Sequence, residues 1–166
     1  MNPPATVLIR AATADDRTWI APHLEQSWGS TTIVSRGMVH DASGLPAILA
    51  VQGDDIVGLA TYHVAGGECE LVSLDSLREG QGIGSALLAR VGQEAASHGC
   101  RRLWLITTND NLDAIRFYHR RGLHLVAVHR DAVNEARRIK PSIPLIGEDG
   151  IPIRDELEFE LELELG

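Results

Sequence analysis

The stretch that decides the fold runs from Leu71 to Leu88 and reads LVSLDSLREGQGIGSALL. A strand-like apolar run ends near Leu74, and an amphipathic helix follows directly after three closely spaced glycines. Glycines let the backbone turn freely, while the start of a helix offers unpaired N–H groups and the positive end of the dipole. The stretch therefore predicts a tight turn whose main chain binds a phosphate or pyrophosphate, with a plain turn as the alternative.

Two well-known phosphate-binding motifs do not fit this stretch. A Walker A loop ends in Gly-Lys followed by Ser or Thr, and no such ending is present. A dinucleotide-binding fingerprint needs a third glycine three residues after the second, whereas Gly80, Gly82 and Gly84 alternate with single residues. The hairpins that precede the turn also differ from the first βαβ unit of that fold.

The segments before the glycine turn predict a helix and antiparallel strands. Residues 7–11 form a short apolar run, and residues 13–28 have helical spacing with Thr13 as the cap. Residues 29–44 are rich in Ser, Thr and Gly, so we expect an irregular segment with a short helical piece. Short glycine-containing turns then separate three strands, which indicates hairpins; the strands are 46–52, 56–64 and 68–74.

The segments after the turn alternate between helix and strand. The helix that opens at the glycines is capped by Gly99, and Asn111 caps a second helix that ends at Gly122. Strands are expected at 103–108 and 123–129, a short extra helix at 131–139, and a loop at 140–153. The element order predicts an α/β (α+β) fold, a single domain over residues 1–166 with helices packed on a mixed sheet.

The acidity of the chain is concentrated at its C-terminal end. The 166 residues carry a net charge of -8, and residues 148–166 hold eight carboxylates against one arginine. Leu and Phe alternate strictly with Glu from Leu157 to Leu165, which is the period of a strand. We therefore expect an integral strand, and we expect that only Asp155 and Glu156, at its start, are placed to meet a cationic amine.

Composition excludes several classes of protein. The body before residue 148 is nearly neutral, which argues against binding nucleic acid over a broad surface. No apolar run approaches the roughly 20 residues of a membrane span, and the N-terminus lacks signal-peptide features. Two cysteines and scattered histidines make neither a disulfide framework nor a metal site. We expect a cytoplasmic protein that binds no nucleic acid, membrane or metal.

Two motifs resemble one known family. Residues 80–88, GQGIGSALL, are similar to the acetyl-CoA pyrophosphate loop of the GNAT superfamily of N-acetyltransferases, with Gly82 and Gly84 at its glycines. Glu79 departs from the Arg or Gln of that loop, and Arg78 stands beside it. A second segment, residues 109–122, resembles the family's later motif; its matching residues are Asn111, Ala114, Phe117, Tyr118 and Gly122.

The resemblance implies a mixed, mostly antiparallel sheet of about seven strands with helices on both faces. The sheet would splay between its fourth and fifth strands, at 68–74 and 103–108, and residues 131–154 would be an insertion. Acetyl-CoA would lie in the splay as co-substrate. Its pantetheine would pair near Leu74, Asn111 would orient it, and its pyrophosphate would lie over Gln81, Gly82, Ile83, Gly84 and Ser85.

The resemblance also implies a reaction and its catalytic groups. An amine would attack the thioester directly in a ternary complex, so it must first lose a proton, since its pKa is about 10.4. Tyr118 matches the family's tyrosine and is the candidate acid for the leaving thiolate. Glu70, on the strand that leads into the turn, is the candidate base, with Glu68 and Asp75 as rivals.

The acceptor is left open by the sequence. A small-molecule or peptide amine would enter past residues 29–44 and the late loop, and family members are often homodimers. The alternative function is a non-catalytic acyl-CoA-binding or sensor module with the same fold. A nucleotide-phosphate-binding protein is a third interpretation of the glycine turn.

Overall fold

The computed structural model describes residues 6–164, and this part of the chain forms nine strands and four α-helices. The strands are β1 (Val7–Ala11), β2 (Thr32–Ser35), β3 (Met38–Asp41), β4 (Ala47–Gln52), β5 (Asp55–Ala65), β6 (Glu68–Ser76), β7 (Arg102–Thr108), β8 (His124–His129) and β9 (Glu156–Glu162). The helices are α1 (Arg17–Trp28), α2 (Ile83–Ser97), α3 (Leu112–Arg120) and α4 (Ala132–Ile139). None of these helices is long and apolar enough to cross a membrane.

Seven strands form one mixed sheet in the order β1-β4-β5-β6-β7-β9-β8. All neighbours are antiparallel except β6 and β7, which are parallel. Those two strands pair only from Glu68 with Arg102 to Leu71 with Leu105. The expected splay is confirmed: the fourth and fifth strands predicted from the sequence are β6 and β7.

Helices cover both faces of the sheet, as expected. α2 lies on one face, where its predicted apolar stripe is buried together with side chains of α3; the stripe is Ile83, Leu87, Leu88, Val91 and Ala95. α1 lies on the other face, where Ile20 and Leu24 pack with Val72 of β6. A short 3-10 helix precedes α1, and Thr13 N donates to Asp16 Oδ2 at 2.6 Å, so the predicted helix start is confirmed.

The expectation of an irregular segment at 29–44 was wrong for most of that segment. β2 and β3 form a hairpin, and only the 3-10 turn Ala42–Gly44 matches the expected helical piece. The hairpin turn has Arg36 at φ 53° and Gly37 at φ 73°, both left-handed. Two-residue turns of this kind are signalled by Asn-Gly or Asp-Gly, so Arg-Gly did not indicate a hairpin.

The acidic C-terminal segment is an interior strand of the sheet. β9 pairs with β7 on one side and β8 on the other. Phe159 is fully buried, and Leu157, Leu161 and Leu163 pack against the same core, which confirms the predicted alternation. Leu165, also predicted to lie on that face, is outside the described residues.

The segment between β8 and β9 adds α4 and a long loop to the hairpin side of the sheet. α4 contacts β2, and the side chain of Lys140 donates to Thr32 O at 2.8 Å. The loop is tied to the end of β7 by Asn109, whose Oδ1 accepts from Arg154 N and Asp155 N, both at 3.0 Å. These contacts hold the segment beside the splayed end of the sheet.

Candidate active site

The site is an opening in the sheet, here called the split, between residues 72–76 of β6 and residues 106–108 of β7. β6 keeps its outer partner here, since Leu74 pairs with Ala60 of β5. β7 keeps β9, with Thr108 opposite Glu156. A bulge at Val72, where β5 shifts register between Thr61 and Tyr62, bends β6 just where it leaves β7. The backbone of β6 around Leu74 thus lacks a strand partner on the side of the split.

The glycine turn carries the chain from the split into α2. Gly80 at φ 74° and Gly82 at φ 71° are left-handed, a conformation that favours glycine. The helical ladder begins with Ala86 N donating to Gly82 O at 3.0 Å. The N–H groups of Ile83, Gly84 and Ser85 are therefore at the free end of the helix, where an anion is favoured.

Gly84 serves packing as well as the turn. A Cβ at Gly84 would be 3.2 Å from Cζ of Phe117, so α2 and α3 approach closely here. At the same place Arg121 donates from Nε to Ser85 Oγ at 2.7 Å and covers the Phe117 ring. A guanidinium thus lies beside the free N–H groups of α2, and both suit a pyrophosphate.

Side-chain hydrogen bonds of Gln81 and Arg78 fix the position of the glycine turn. Gln52 Nε2 donates to Gln81 Oε1 at 3.2 Å, and Arg78 donates to Asp55 Oδ2 at 3.0 Å. Both contacts tie the turn to the end of the β4–β5 hairpin. Glu79 is exposed, so its departure from the family motif leaves the main-chain groups of the turn unchanged.

Tyr118 projects from α3 into the core beneath the split. Its ring lies 5.3 Å from that of Phe117 and 5.9 Å from that of Phe159, between centroids. Burial raises the pKa of the Tyr118 phenol well above its ordinary value, and the negative charge of Asp75 on β6 adds to the rise. The phenol therefore stays protonated at neutral pH, as a proton donor must.

Glu70 is buried on the opposite face of the sheet, beneath the β2–β3 hairpin. His40 Nε2 donates to Glu70 Oε1 at 3.1 Å, and each side chain is 4% exposed. The His63 ring lies 5.2 Å from that of His40, between centroids. Glu70 thus stands where β6 and β7 separate, held by a histidine that no sequence motif singled out.

The rival bases have other partners. Glu68, at the far end of the paired part of β6, accepts from Arg102 Nε at 2.8 Å. Asp75 is near the split, but its carboxylate is bonded to His23 Nε2 and Trp28 Nε1, both at 3.0 Å. Both side chains are more exposed than that of Glu70, at 30% for Glu68 and 17% for Asp75 against 4%. Their role as the base stays a prediction.

Asn111 caps α3, with Oδ1 accepting from Ala114 N at 3.1 Å. The capping role predicted for it is confirmed, and a contact with the cofactor stays a prediction. Within residues 6–164, no three side chains of His, Cys, Asp or Glu come together in a group that could hold a metal ion. Cys69 and Cys100 are buried and unpaired, and burial raises the pKa of the Cys69 thiol to about 12.

The comparisons with known proteins agree on one family. The model of the acetyltransferase (GNAT) family matches residues 11–123, which include the split, the glycine turn and α3. The chain belongs to the GNAT family. Among its relatives is the uncharacterized protein YdhI of Bacillus subtilis strain 168, which is 44% identical over 133 residues, 80% of this chain and 83% of YdhI.

Solved structures share the GNAT fold at low identity. An IAA acetyltransferase from Bacillus cereus ATCC 14579 has a TM-score of 0.69 and 19% identity, covering 95% of this chain and 100% of that protein. A GNAT acetyltransferase from Elizabethkingia anophelis, with acetyl-CoA bound, has a TM-score of 0.68 and 18% identity, covering 95% and 98%. At these identities the likeness establishes the mixed sheet and its helices.

Within this GNAT domain the two carboxylates at the start of β9 differ in their surroundings. Asp155 accepts from Asp131 N at 2.9 Å and from Arg154, so it holds the neighbouring segment. Glu156 is 3% exposed and accepts from Arg36 N at 3.1 Å. Burial raises the pKa of Glu156; the hydrogen bond from Arg36 N and the charges of His129 and Arg36 oppose the rise, and the charge of Glu70 adds a smaller contribution to it.

Proposed function

We propose that this GNAT protein transfers an acetyl group from acetyl-CoA to a primary amine by direct attack in a ternary complex. The observation that carries the proposal is the position of the Tyr118 side chain, which packs against Phe117 and Phe159 beneath the split, near Asp75 on the unpaired part of β6. A binding site for acetyl-CoA alone would not require a proton donor at this place. The Elizabethkingia structure with bound acetyl-CoA supports the choice of co-substrate.

Acetyl-CoA would be held mainly by the main chain. The residues suited to its pyrophosphate are at the free end of α2, Gln81 to Ser85, with Arg121 beside them. The unpaired backbone of β6 near Leu74 suits the amide-bearing pantetheine. Acetyl-CoA supplies an activated thioester carbonyl, and the protein supplies position and proton transfer.

An ammonium acceptor loses one proton before the attack and a second one after it; one proton is returned to the thiolate and the other passes to water. The amine nitrogen bonds to the thioester carbon, the carbon–sulfur bond breaks, and the nitrogen loses its proton to a base. Glu70 is the proposed base, directly or through water, and His40 holds its carboxylate. Tyr118 gives its proton to the departing thiolate, so that the products are the N-acetylated amine and free CoA thiol.

The test is release of CoA thiol from acetyl-CoA with a panel of primary amines, followed by mass analysis of the amine. We expect thiol release that depends on the amine and an acetylated product in equal amount. Thiol release without an acetylated amine would contradict the proposal, because it would mean hydrolysis. Cofactor binding without amine-dependent thiol release would also contradict it.

The second candidate function is an acyl-CoA-binding module without turnover. The observation in its favour is the burial of Glu70, which is 3% exposed and covered by the β2–β3 hairpin. This candidate predicts that calorimetry detects acetyl-CoA binding while no amine in the panel is acetylated. Stabilisation by ATP or NAD in place of CoA would instead support a nucleotide-phosphate-binding protein.

A further inference from the structure

A cavity of about 600 Å³ opens on the hairpin side of the sheet, next to the split. Its walls come from the end of α1, from β2, from α4 with the loop after it, and from the start of β9. Thr108, the last residue of β7, also lines it. The volume is that of a small-molecule site, which typically measures about 300–1,000 Å³.

Most of the cavity wall is apolar. Four separate segments, α1, β2, α4 and the loop after α4, contribute apolar side chains. These side chains are Trp28, Ile33, Val133, Ala136, Ile143 and Ile153. α4 and the loop after it, which the family resemblance implied to be an insertion, provide four of these six. The segment 131–154 therefore gives this GNAT protein the larger part of an apolar pocket wall.

Glu156 is the carboxylate in this wall that has more acceptor positions left for a ligand. A carboxylate has about four acceptor positions, and Arg36 N uses one of those on Glu156. Asp110 also lines the cavity, but it accepts from Thr108 Oγ1 at 2.5 Å and from Glu148 N at 3.3 Å. Ser35, one residue before Arg36, has the single buried side-chain oxygen of residues 6–164 without a hydrogen-bond partner.

The two cations near the cavity, Lys140 and Arg36, already have hydrogen-bond partners in the protein. Lys140 Nζ donates to Trp28 O at 3.3 Å and to Thr32 O at 2.8 Å. The Arg36 guanidinium is directed to Glu158 and His129. A second cavity of about 520 Å³, on the other side of Glu156, contains Arg36 and His129. The lining of the apolar cavity holds two carboxylates, Asp110 and Glu156, against one cation, Lys140, so its net charge toward a ligand is negative.

Glu156 also lies next to the split, where the reaction is proposed to occur. It stands opposite Thr108 in the pairing of β7 with β9, at the open end of the split. The strand register places Glu70 and Glu156 on the same side of the sheet, since Glu70 pairs with Trp104 and Trp104 with Glu160. A cationic nitrogen between the two carboxylates would be near the split, with the remainder of its molecule in the cavity.

We propose that this cavity is the acceptor site and that it takes a primary amine carried on a compact apolar body, with Glu156 receiving the ammonium. The inference rests on the proposed function for its chemistry. Amines with several charges would have to bury the additional charges against apolar walls, which is strongly unfavourable. Polyamines, aminoglycosides and charged peptides are therefore poor acceptors.

The first experiment compares acceptors with the full chain and acetyl-CoA. 2-Phenylethylamine represents the proposed class, and spermidine, kanamycin and a lysine-containing tetrapeptide represent the others. We expect kcat/KM for 2-phenylethylamine to exceed each of the others by about tenfold or more, because the others would bury additional charges against the apolar wall. An equal or higher value for any of the other three would overturn the proposal.

The second experiment changes the charge of Glu156. Glu156→Gln keeps the size of the side chain and its acceptor for Arg36 N, so we expect about a tenfold to hundredfold higher KM for 2-phenylethylamine. The KM for acetyl-CoA should not change. Glu160→Gln is the matched control, because Glu160 is on the same face of β9 but bonds Arg102. Equal effects of the two substitutions would refute a role for Glu156.

The third experiment changes the size of the cavity. Ser142 lines the cavity and is exposed, so its substitution does not threaten the core. Ser142→Trp should raise the KM for 2-phenylethylamine several-fold and leave acetyl-CoA unaffected, while Ser142→Ala should behave as the unchanged protein. An unchanged KM in the tryptophan variant would place the acceptor elsewhere.

A binding measurement separates this inference from the proposed function. If no amine is acetylated, the function fails, but calorimetry with the CoA-loaded protein still tests the cavity. We then expect 2-phenylethylamine to bind, 2-phenylethanol to bind at least tenfold more weakly, about the effect of losing one charged contact, and Glu156→Gln to remove the preference. Failure of 2-phenylethylamine to bind, or no preference over the alcohol, would refute the cavity as an amine site.

Discussion

Tyr118 has one hydroxyl group in an apolar setting between Phe117 and Phe159. Tyr118→Phe removes that proton and retains the ring, so packing should be kept. We expect kcat to fall about a hundredfold, the usual contribution of a positioned acid, and the Kd for acetyl-CoA to remain close to its original value. Steady-state kinetics and calorimetry measure the two quantities. An unchanged kcat would remove Tyr118 from the mechanism.

Glu70 is the residue on which the acid side of the pH profile should depend. Its carboxylate must be ionised to accept a proton, so kcat/KM should fall as the pH is lowered. In Glu70→Gln we expect this acidic limb to flatten and the maximum rate to drop. Glu68→Gln provides the comparison, because that carboxylate is bonded to Arg102. A flattened limb in the Glu68 variant alone would make Glu68 the base.

We expect the negative charge of Glu156 to favour binding of an amine but to lower the stability of the folded protein. Its pKa is raised by burial, so the folded protein holds the proton of this carboxyl more tightly than the unfolded chain does. Stability is therefore lost as the pH rises through the folded-state pKa. Glu156→Gln should raise Tm at pH 7 and have little effect at pH 4, which thermal unfolding at both pH values will measure. A lower Tm at pH 7 would contradict this expectation.

At the scale of elements, α2 packs closely against β5. Gly58 of β5 lies against it, and a Cβ there would stand 2.7 Å from Cγ2 of Ile83 and 2.9 Å from Cδ1 of Leu87. Such distances are too short for real contacts, so the side chains of Ile83 and Leu87, or the elements that carry them, would have to shift. Gly58 is thus required for close packing, whereas a Cβ added at Gly92 in the same helix would meet nothing within 4 Å.

This contrast predicts that replacing glycine by alanine has opposite effects on stability at the two positions. Gly58→Ala should lower the free energy of unfolding by about 1–3 kcal/mol through overpacking. Gly92→Ala should raise it by about 0.5–1 kcal/mol, since alanine restricts the unfolded chain and favours the helix. Urea unfolding of both variants tests the pair. Similar changes in both would mean that α2 does not press against Gly58.

The elements that were predicted correctly from the sequence are those with a strong periodic signal. α2 has its stripe from Ile83 to Ala95, and β9 has its alternation around Phe159, so local pattern and burial agree. The β2–β3 hairpin escaped prediction because Arg36 occupies a left-handed position that such residues seldom adopt. Where tertiary contacts determine the conformation of a segment, its local sequence pattern does not predict its secondary structure.

The candidate site shows the same division. The glycine turn and Tyr118 were predicted from motifs within short stretches of sequence, and Glu70 from its place on the strand before the turn. His40 bonds Glu70 across 30 residues and Arg36 N bonds Glu156 across 120, so neither contact leaves a local trace. Glu156 was selected only as the leading edge of a charged strand. The cavity beside it depends on how α1, β2 and α4 meet, which spacing along the chain does not encode.

For the whole molecule, β9 is the strand on which the C-terminal half depends. β7 and β8 are both bonded to it, and Phe159 is fully buried in the main core. Ending the chain after Asp155 should therefore abolish cooperative unfolding, as circular dichroism during heating will detect. Glu162→Gln, at an exposed position of β9, should leave the transition unchanged. A truncated chain with a cooperative transition near the original Tm would show that β9 is dispensable.

The interior position of β9 has a consequence for synthesis in the cell. β8 emerges from the ribosome before β9, yet β9 is its only strand partner among residues 6–164. Until the residues after Asp155 have been made, β7 and β8 present two open sheet edges, which are surfaces prone to aggregation. The nascent chain must therefore wait with an incomplete sheet, and chaperones that shield strand edges would have their greatest effect during this interval.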